Sequence, residues 1–237
     1  MKTPTPSADV SAILLTAMVR AAEPFFFVRV GDGAIECLRG CHGRTCDGEP
    51  YGEQLAVAVH EVIAGLKAMG SAVLWGDWVT ATAGSPPKYV SDWQDLVDAG
   101  SRTLLNYEAL LLMRRSPELL GFYRAVKADK RRKVYIGSKR HDGAGELLGA
   151  KVLTLPPIGG VLYARNLIDL FLSYCQPDVV LFGGGMGCLV PVVDYWRSRA
   201  GVTCIHLGSA LDPLWGPPTR SRQLPQDIAR EFFKELL

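Results

Sequence analysis

The chain has 237 residues, with 26 lysines and arginines against 24 aspartates and glutamates, a formal charge of +2. Its 48% hydrophobic and 21% charged residues are the balance of a folded chain and exclude extended disorder. A charge this close to neutral excludes a bulk electrostatic coat for nucleic acid, and no apolar run reaches the roughly 18 residues of a membrane-spanning helix.

Residues 1–7 (MKTPTPS) are expected to be a loose arm, after which Ser7 or Asp9 can cap a helix running to about Ala22. Residues 11–19 are the best candidate for a targeting segment. Asp9 precedes them and Lys2 is a thin basic region, so they read as an amphipathic helix of a cytoplasmic protein. Residues 25–30 (FFFVRV) predict a strand that Gly31-Asp32-Gly33 ends abruptly. Residues 51–69 repeat apolar side chains at helical spacing (Leu55, Val59, Val62, Ile63, Leu66), and Gly70 stops the helix. Residues 72–75 predict a second strand, and residues 85–115 read as helical pieces broken by Pro86-Pro87 and Gly100.

The second half is more regular. Residues 134–136 predict a strand opening into Gly137-Ser138-Lys139-Arg140, with a short helix near Gly145. Residues 152–155 predict a strand ending at Pro156-Pro157, then a helix over 162–174. Residues 178–182 predict a strand, followed by the turn Gly183-Gly184-Gly185-Met186-Gly187 and a helix to about Arg199. Residues 202–206 predict another strand, then a proline-rich loop and a final helix from Pro225. This alternation predicts an α/β fold over residues 1–237: one Rossmann-like domain, a mostly parallel sheet with helices on both faces. Ligands of such sheets bind beyond the carboxyl ends of the strands. Nine of the 25 glycines (Gly31, Gly33, Gly76, Gly137, Gly183, Gly184, Gly185, Gly187 and Gly208) fall in those turns, so each strand-to-helix turn is a candidate site.

Cys175, Cys188 and Cys204 sit in apolar contexts and read as core residues. Cys37, Cys41 and Cys46, with His42 among them, lack the paired halves of a structural zinc site and read as free thiols of a reducing compartment.

The segment Arg29-Val30-Gly31-Asp32-Gly33-Ala34-Ile35-Glu36 carries the strongest chemistry. Asp32 and Glu36, four residues apart at a helix start, would share a face and offer oxygen ligands to a divalent metal, Mn²⁺ or Mg²⁺. The same spacing also describes a capping aspartate with a solvated glutamate. Gly183, Gly184, Gly185 and Gly187 let backbone N–H groups approach a phosphate at a helix start, or let that helix pack closely on the sheet. The turn is not G-x-G-x-x-G and lacks a P-loop lysine. Ser209 and Asp212 follow a predicted central strand. Arg220 and Arg222 lie in an irregular loop, where guanidinium groups clamp a diphosphate or remain solvated.

Asp77, between Trp75 and Trp78 at a strand end, is a candidate general base, with the indoles as an acceptor platform or as core. Lys139, Arg140, Tyr163, Arg165 and Asn166 are further candidate acceptor contacts at the same edge. Lys127, Lys130, Arg131, Arg132 and Lys133 form a basic cluster, read either as a solvated helix end or as a contact for a phosphate backbone.

Residues 29–36 resemble the R-F-G-D-G-E motif of the GT-D type glycosyltransferases, first catalogued as a domain of unknown function. Residues 179–187 and 205–213 are similar to the family's terminal part, a strand, small-residue turn and helix, then a strand leading to a G-S-x-x-D-P-like loop. The Arg220-Ser221-Arg222 ending resembles phage and bacterial relatives. The resemblance implies a nucleotide-sugar donor, usually a UDP-sugar, and a divalent ion held by an Asp-x-Glu motif. Asp32 matches its Asp, whereas Ala34 stands at the Glu position. Glu36 is then the nearest carboxylate, with Asp47 and Glu49 as further ones.

On this resemblance Asp32 and Glu36 hold the metal or the donor's ribose and sugar. Arg29, beside Gly31 and Gly33, orients Asp32 or pairs with phosphate, and the glycine turn at 183–187 receives the nucleotide. Arg220 or Arg222, with Ser209 and Asp212 nearby, stabilises the departing UDP, and Asp77 or Glu49 deprotonates the acceptor if the reaction inverts. The first acceptor expected is a hydroxymethylated pyrimidine in phage DNA, flipped out of its stack. A bacterial glycan or glycoprotein is the alternative. A non-catalytic nucleotide-binding module, for which Ala34 speaks, is the alternative of another class.

Overall fold

The strands Phe26–Val28, Val179–Phe182 and Thr203–His206 are buried on both faces because they occupy the middle of one parallel sheet. The computed structural model describes residues 4–39, 52–77, 87–98, 102–155, 161–216 and 222–237, with the backbone alone for Asp32, Gly33, 87–90 and 161–163. Its strands are β1 (Phe26–Val28), β2 (Val73–Asp77), β3 (Thr103–Asn106), β4 (Lys133–Ser138), β5 (Lys151–Leu155), β6 (Val179–Phe182) and β7 (Thr203–His206). They pair in the order β3-β2-β1-β7-β6-β4-β5, every pair parallel.

The helices are α1 (Ala8–Arg20), α2 (Asp32–Leu38), α3 (Glu53–Ala68), α4 (Pro87–Val97), α5 (Pro117–Ala128), α6 (Ala144–Leu148), α7 (Val161–Cys175), α8 (Met186–Ser198), α9 (Asp212–Trp215) and α10 (Gln226–Phe233). The right-handed crossover rule sorts them. The connections β1 to β2, β2 to β3, β5 to β6 and β6 to β7 all step toward β3, which puts α2, α3, α4, α7 and α8 on one face. The steps from β3 to β4 and from β4 to β5 run the other way and put α5 and α6 on the opposite face. The packed pairs agree: α3 on α8, α7 on α8 and α3 on α4 in one layer, α1 on α5 and α5 on α6 in the other. No described helix is long and apolar enough to cross a membrane.

One segment differs from the sequence expectation, and one helix falls where none was stated. Residues 85–115 contain β3 as well as a helix. β3 is a four-residue edge strand with Thr103 exposed and only Leu105 buried, so it shows neither alternation nor a long apolar run. The helix α5 starts where Ser116 caps it, its Oγ accepting from the Leu119 N–H at 3.2 Å, with Pro117 in the first turn.

The basic cluster lies at the amino edge of the sheet. Lys133, the first residue of β4, is buried, and its Nζ donates to the carbonyls of Val126 (2.7 Å), Lys127 (3.1 Å) and Asp129 (2.5 Å), closing the end of α5. Burial pulls its pKa below the usual lysine range. Arg131 forks onto Asp129 and reaches Thr203 Oγ1 at 3.0 Å, Arg132 forks onto Asp178, and Lys127 donates to the Leu236 carbonyl at 2.7 Å. These charges fasten α5 to β4, β6 and β7, on the side of the sheet away from the strand-exit turns.

Candidate functional site

All strands are parallel, so every carboxyl end opens on one edge. There the chain parts twice. β4 exits outward to β5 while its neighbour β6 exits back to β7. β1 exits to α2, while β7 exits to α9, which packs on α10 and on the 3-10 turn Lys139–His141. Diverging exits leave a crevice between adjacent strands.

Arg29 stands at the centre of this edge and is 2% exposed. Its Nη1 donates to the Leu207 carbonyl at 2.5 Å, and its guanidinium lies 4.2 Å over the Tyr107 ring. Its backbone N–H donates to His206 Nδ1 at 3.4 Å, which leaves the His206 proton on Nε2. His206 stacks on Phe182 at 4.6 Å between ring centroids, and its pKa is lowered to about 3 by burial first and the Arg29 charge second. Two glycines admit this arrangement. Gly208 adopts φ +56°, and a Cβ there would lie 2.9 Å from Arg29 Nη1; a Cβ on Gly31 would lie 2.6 Å from the Tyr107 hydroxyl.

Gly31 is the N-cap of α2, so Asp32 and Gly33 open the helix and Glu36 follows Asp32 by one turn on the same face. Ala34 is 1% exposed and faces the core. Asp77 ends β2, is buried, and accepts from Thr5 Oγ1 at 2.5 Å, so the N-terminal arm lies across this strand end. Among the described residues no three His, Cys, Asp or Glu side chains gather as a metal cluster. The described cysteines, Cys37, Cys175, Cys188 and Cys204, are free thiols.

Sequence reasoning missed Glu108, just past β3. Its carboxylate is 19% exposed, 3.4 Å from Arg222 Nη1. Burial raises its pKa above the usual glutamate range against the pull of Arg222, Arg114 and Arg29. It follows a strand that the sequence did not show, and no local motif marks it. Tyr135 and His141 were missed as well. Tyr135 Oη lies 2.6 Å from His141 Nδ1, and His141 Nε2 lies 2.8 Å from Asp212 Oδ1, all three side chains buried.

The glycine turn is tightly packed. Gly183 donates its N–H to the Ile136 carbonyl at 2.8 Å, Gly185 caps α8 at φ +77°, and Gly187 is buried in its first turn. A Cβ on Gly183 would lie 2.7 Å from the Gly208 carbonyl oxygen and 2.8 Å from Tyr135 Oη, and Gly184 abuts Cys188 and Leu155. Gly183→Ala is therefore expected to destabilise the fold by about 1–3 kcal/mol. Gly121→Ala, in α5 with nothing within 4 Å of the new Cβ, is expected to stabilise it by about 0.5–1 kcal/mol. Urea melts of both variants check the contrast; equal midpoints would contradict it.

The remaining candidates are distributed unevenly. Trp75 is 1% exposed inside β2, which corrects its reading as an acceptor platform: its indole has no open face. Arg165 bonds Asp194 on α8 at 2.7 Å and lies 3.8 Å from Asp169, so it bridges two helices. Asn166 and Lys139 are exposed, and Arg140 lies 3.8 Å from Asp212 Oδ2. The Ser209 carbonyl accepts from Gln223 Nε2 at 2.6 Å, tying the loop after β7 to the segment that carries Arg222. Tyr163 sits in the first turn of α7. Glu49, Trp78, Arg220, Asp47, Cys41, His42 and Cys46 lie outside the described residues.

No protein-family model matches the chain, and no curated protein matches it. Solved structures do. The chain is similar to a glycosyltransferase of the DUF1792 group from Streptococcus sanguinis, with TM-score 0.60 and 14% identity over 88% of this chain and 82% of that one. It is also similar to a domain of unknown function 1792 described as having a distinct glycosyltransferase fold, with TM-score 0.56 and 16% identity over 94% and 92% of the two chains. A selenomethionine-substituted structure of a domain of that group gives TM-score 0.56 at 16% identity over 85% and 77%. The seven-stranded parallel sheet with its helices is the α/β architecture of these glycosyltransferase-fold proteins.

Proposed function

We propose that the chain is a glycosyltransferase that moves a sugar from a nucleotide-sugar donor, a UDP-sugar in the first instance, to an acceptor hydroxyl. The observation that carries this reading is the likeness to glycosyltransferase-fold structures over 85% to 94% of the chain. The polar, glycine-lined carboxyl edge is the place for the chemistry.

Asp32 and Glu36 are the proposed metal ligands. Residue 34 faces the core here, so Glu36 is the carboxylate that shares the face of Asp32. Two carboxylates suit Mg²⁺ or Mn²⁺, whose other positions are commonly filled by phosphate and water oxygens. A divalent ion held there supplies charge neutralisation for the leaving diphosphate. The glycine turn before α8 is the proposed seat of the donor's phosphates, at the positive end of that helix.

For an inverting transfer, Glu108 is the base that the environment favours. It takes the acceptor proton as the acceptor oxygen bonds to the anomeric carbon and the bond to the diphosphate breaks. Asp77 serves less well, since it is buried under Thr5. For the acceptor we place a glycan or glycoprotein hydroxyl ahead of a modified DNA base, because the basic cluster lies at the far edge and Lys127, Arg131, Arg132 and Lys133 within it are engaged with carbonyls and carboxylates. The buried Ala34 is the one observation for a non-catalytic module.

Incubation with a panel of UDP-sugars, Mn²⁺ and glycan, glycoprotein and hydroxymethylated-DNA acceptors is expected to release UDP. Asp32→Ala is expected to lower that release at least about a hundredfold with an unchanged melting temperature. No release from any donor would overturn the enzyme reading in favour of a nucleotide-binding module. A fully active Asp32→Ala would remove Asp32 from the site and leave the enzyme standing.

A further inference from the structure

Tyr135 lies in the middle of β4, yet its hydroxyl reaches the carboxyl edge, where Gly137 and Gly183 lack the Cβ atoms that would displace it. That is the point where the exits of β4 and β6 diverge. The hydroxyl meets His141, and His141 meets Asp212 of α9. The chemistry of the three groups fixes their roles. Nε2–H donates to the Asp212 carboxylate, and Nδ1 is left to accept the Tyr135 O–H. Trp215 covers the imidazole at 5.8 Å between ring centroids, and Gly143 makes room for the indole.

A buried carboxylate is costly unless charge and hydrogen bonds compensate it. Asp212 Oδ1 is engaged by His141, and Oδ2 faces Arg140 Nη1 at 3.8 Å. Arg140 is the outer end of this chain: it sits in the 3-10 turn that follows β4, and its side chain is 33% exposed. A guanidinium carries five N–H donors in a rigid fork, more than one carboxylate oxygen at that distance engages. Apolar packing can often match a buried polar link of this kind at little loss of stability. This one ends instead on a cation at the opening beside the glycine turn.

We propose that Arg140 is the cation that receives the diphosphate of the donor, and that Tyr135, His141 and Asp212 form a buried brace that aims it. Arg140 would touch the ligand; the other three are positioning residues acting through it. The assignment rests on the donor reading above and moves Arg140 from the acceptor side, where its sequence context placed it, to the phosphate side.

Titration calorimetry with UDP and with uridine, Mg²⁺ present, tests it on the full chain. Arg140→Ala is expected to weaken UDP binding on the order of ten- to a hundredfold, the worth of a charge-assisted hydrogen bond, and to leave uridine unchanged. Arg140→Lys is expected to restore part of the loss, since the charge returns without the fork. Tyr135→Phe and His141→Gln are expected to weaken UDP severalfold, and the double variant Arg140→Ala/His141→Gln no more than Arg140→Ala alone. If His141→Gln does not fold, Tyr135→Phe, which removes only a hydroxyl, makes the same comparison with Arg140→Ala. Additive losses in the double variant overturn the brace. Parallel losses for UDP and uridine overturn the phosphate assignment. Wild-type protein that binds UDP while Arg140→Ala binds it equally overturns this proposal alone. Wild-type protein that binds no nucleoside diphosphate overturns the donor reading with it.

Discussion

Glu108→Gln is expected to lower kcat by about 10²- to 10⁴-fold, the usual worth of a positioned general base, with the donor KM near its wild-type value. The carboxylate sits past the end of β3 with Arg222 at 3.4 Å, and burial raises its pKa above the ordinary glutamate range. A base must be ionised to act, so wild-type kcat/KM is expected to rise with pH along a limb above the usual glutamate range. The glutamine variant is expected to lose that limb. Stability separates this from a folding defect. The folded value lies above the unfolded one, so the folded protein binds the extra proton, and the contribution present at acid pH is lost as pH rises through the folded value. The glutamine variant never meets that loss and is expected to melt no lower than wild type at neutral pH. A retained acid limb in Glu108→Gln would remove Glu108 from the reaction.

The parts of this molecule that were legible in the sequence are those written in neighbouring residues. The capped α1, the run into β1, the glycine stops after β1 and β6 and the paired strand–helix units of the second half combine a local apolar run with a local turn signal. Arg29 stood out as a charge at the end of an apolar run, Asp32 as a carboxylate in the turn after it, and Asp212 as a carboxylate in the loop that follows the last strand. What escaped depends on residues far apart. Lys133 looked like part of a solvated basic run, but its partners are the carbonyls that end α5, and no sequence pattern displays a carbonyl without a partner. His141 stood at the tail of Lys139 and Arg140, and its meaning comes from an aspartate 71 residues later. Trp75 and Trp78 suggested a platform from spacing alone, whereas β2 is flanked by β1 and β3 and buries the first indole. Glu108 was lost together with β3, whose two adjacent leucines carry no strand period.

Lowering the pH from about 6.5 toward 3 is expected to remove stability by up to about 1.4 kcal/mol per pH unit on account of His206 alone. Its folded pKa of about 3 lies below the unfolded value of 6.5, so in that interval the unfolded chain binds the proton that the folded protein refuses. Stability is full above the unfolded value and is lost as pH falls through this window. Burial is the larger of the two causes and the Arg29 charge the smaller, so the two are separable by substitution. His206→Asn keeps an acceptor for the Arg29 N–H and removes the titration; its acid slope is expected to flatten. Arg29→Met removes the charge but not the burial. It is expected to lose about 2–4 kcal/mol at neutral pH, from the orphaned Leu207 carbonyl and the lost stacking on Tyr107, while keeping most of the acid slope. Urea midpoints measured from pH 4 to pH 8 decide the matter. An unchanged slope in His206→Asn would assign the acid sensitivity to other groups, and a flat profile in Arg29→Met would make the guanidinium, rather than the apolar surroundings, the force that keeps His206 neutral.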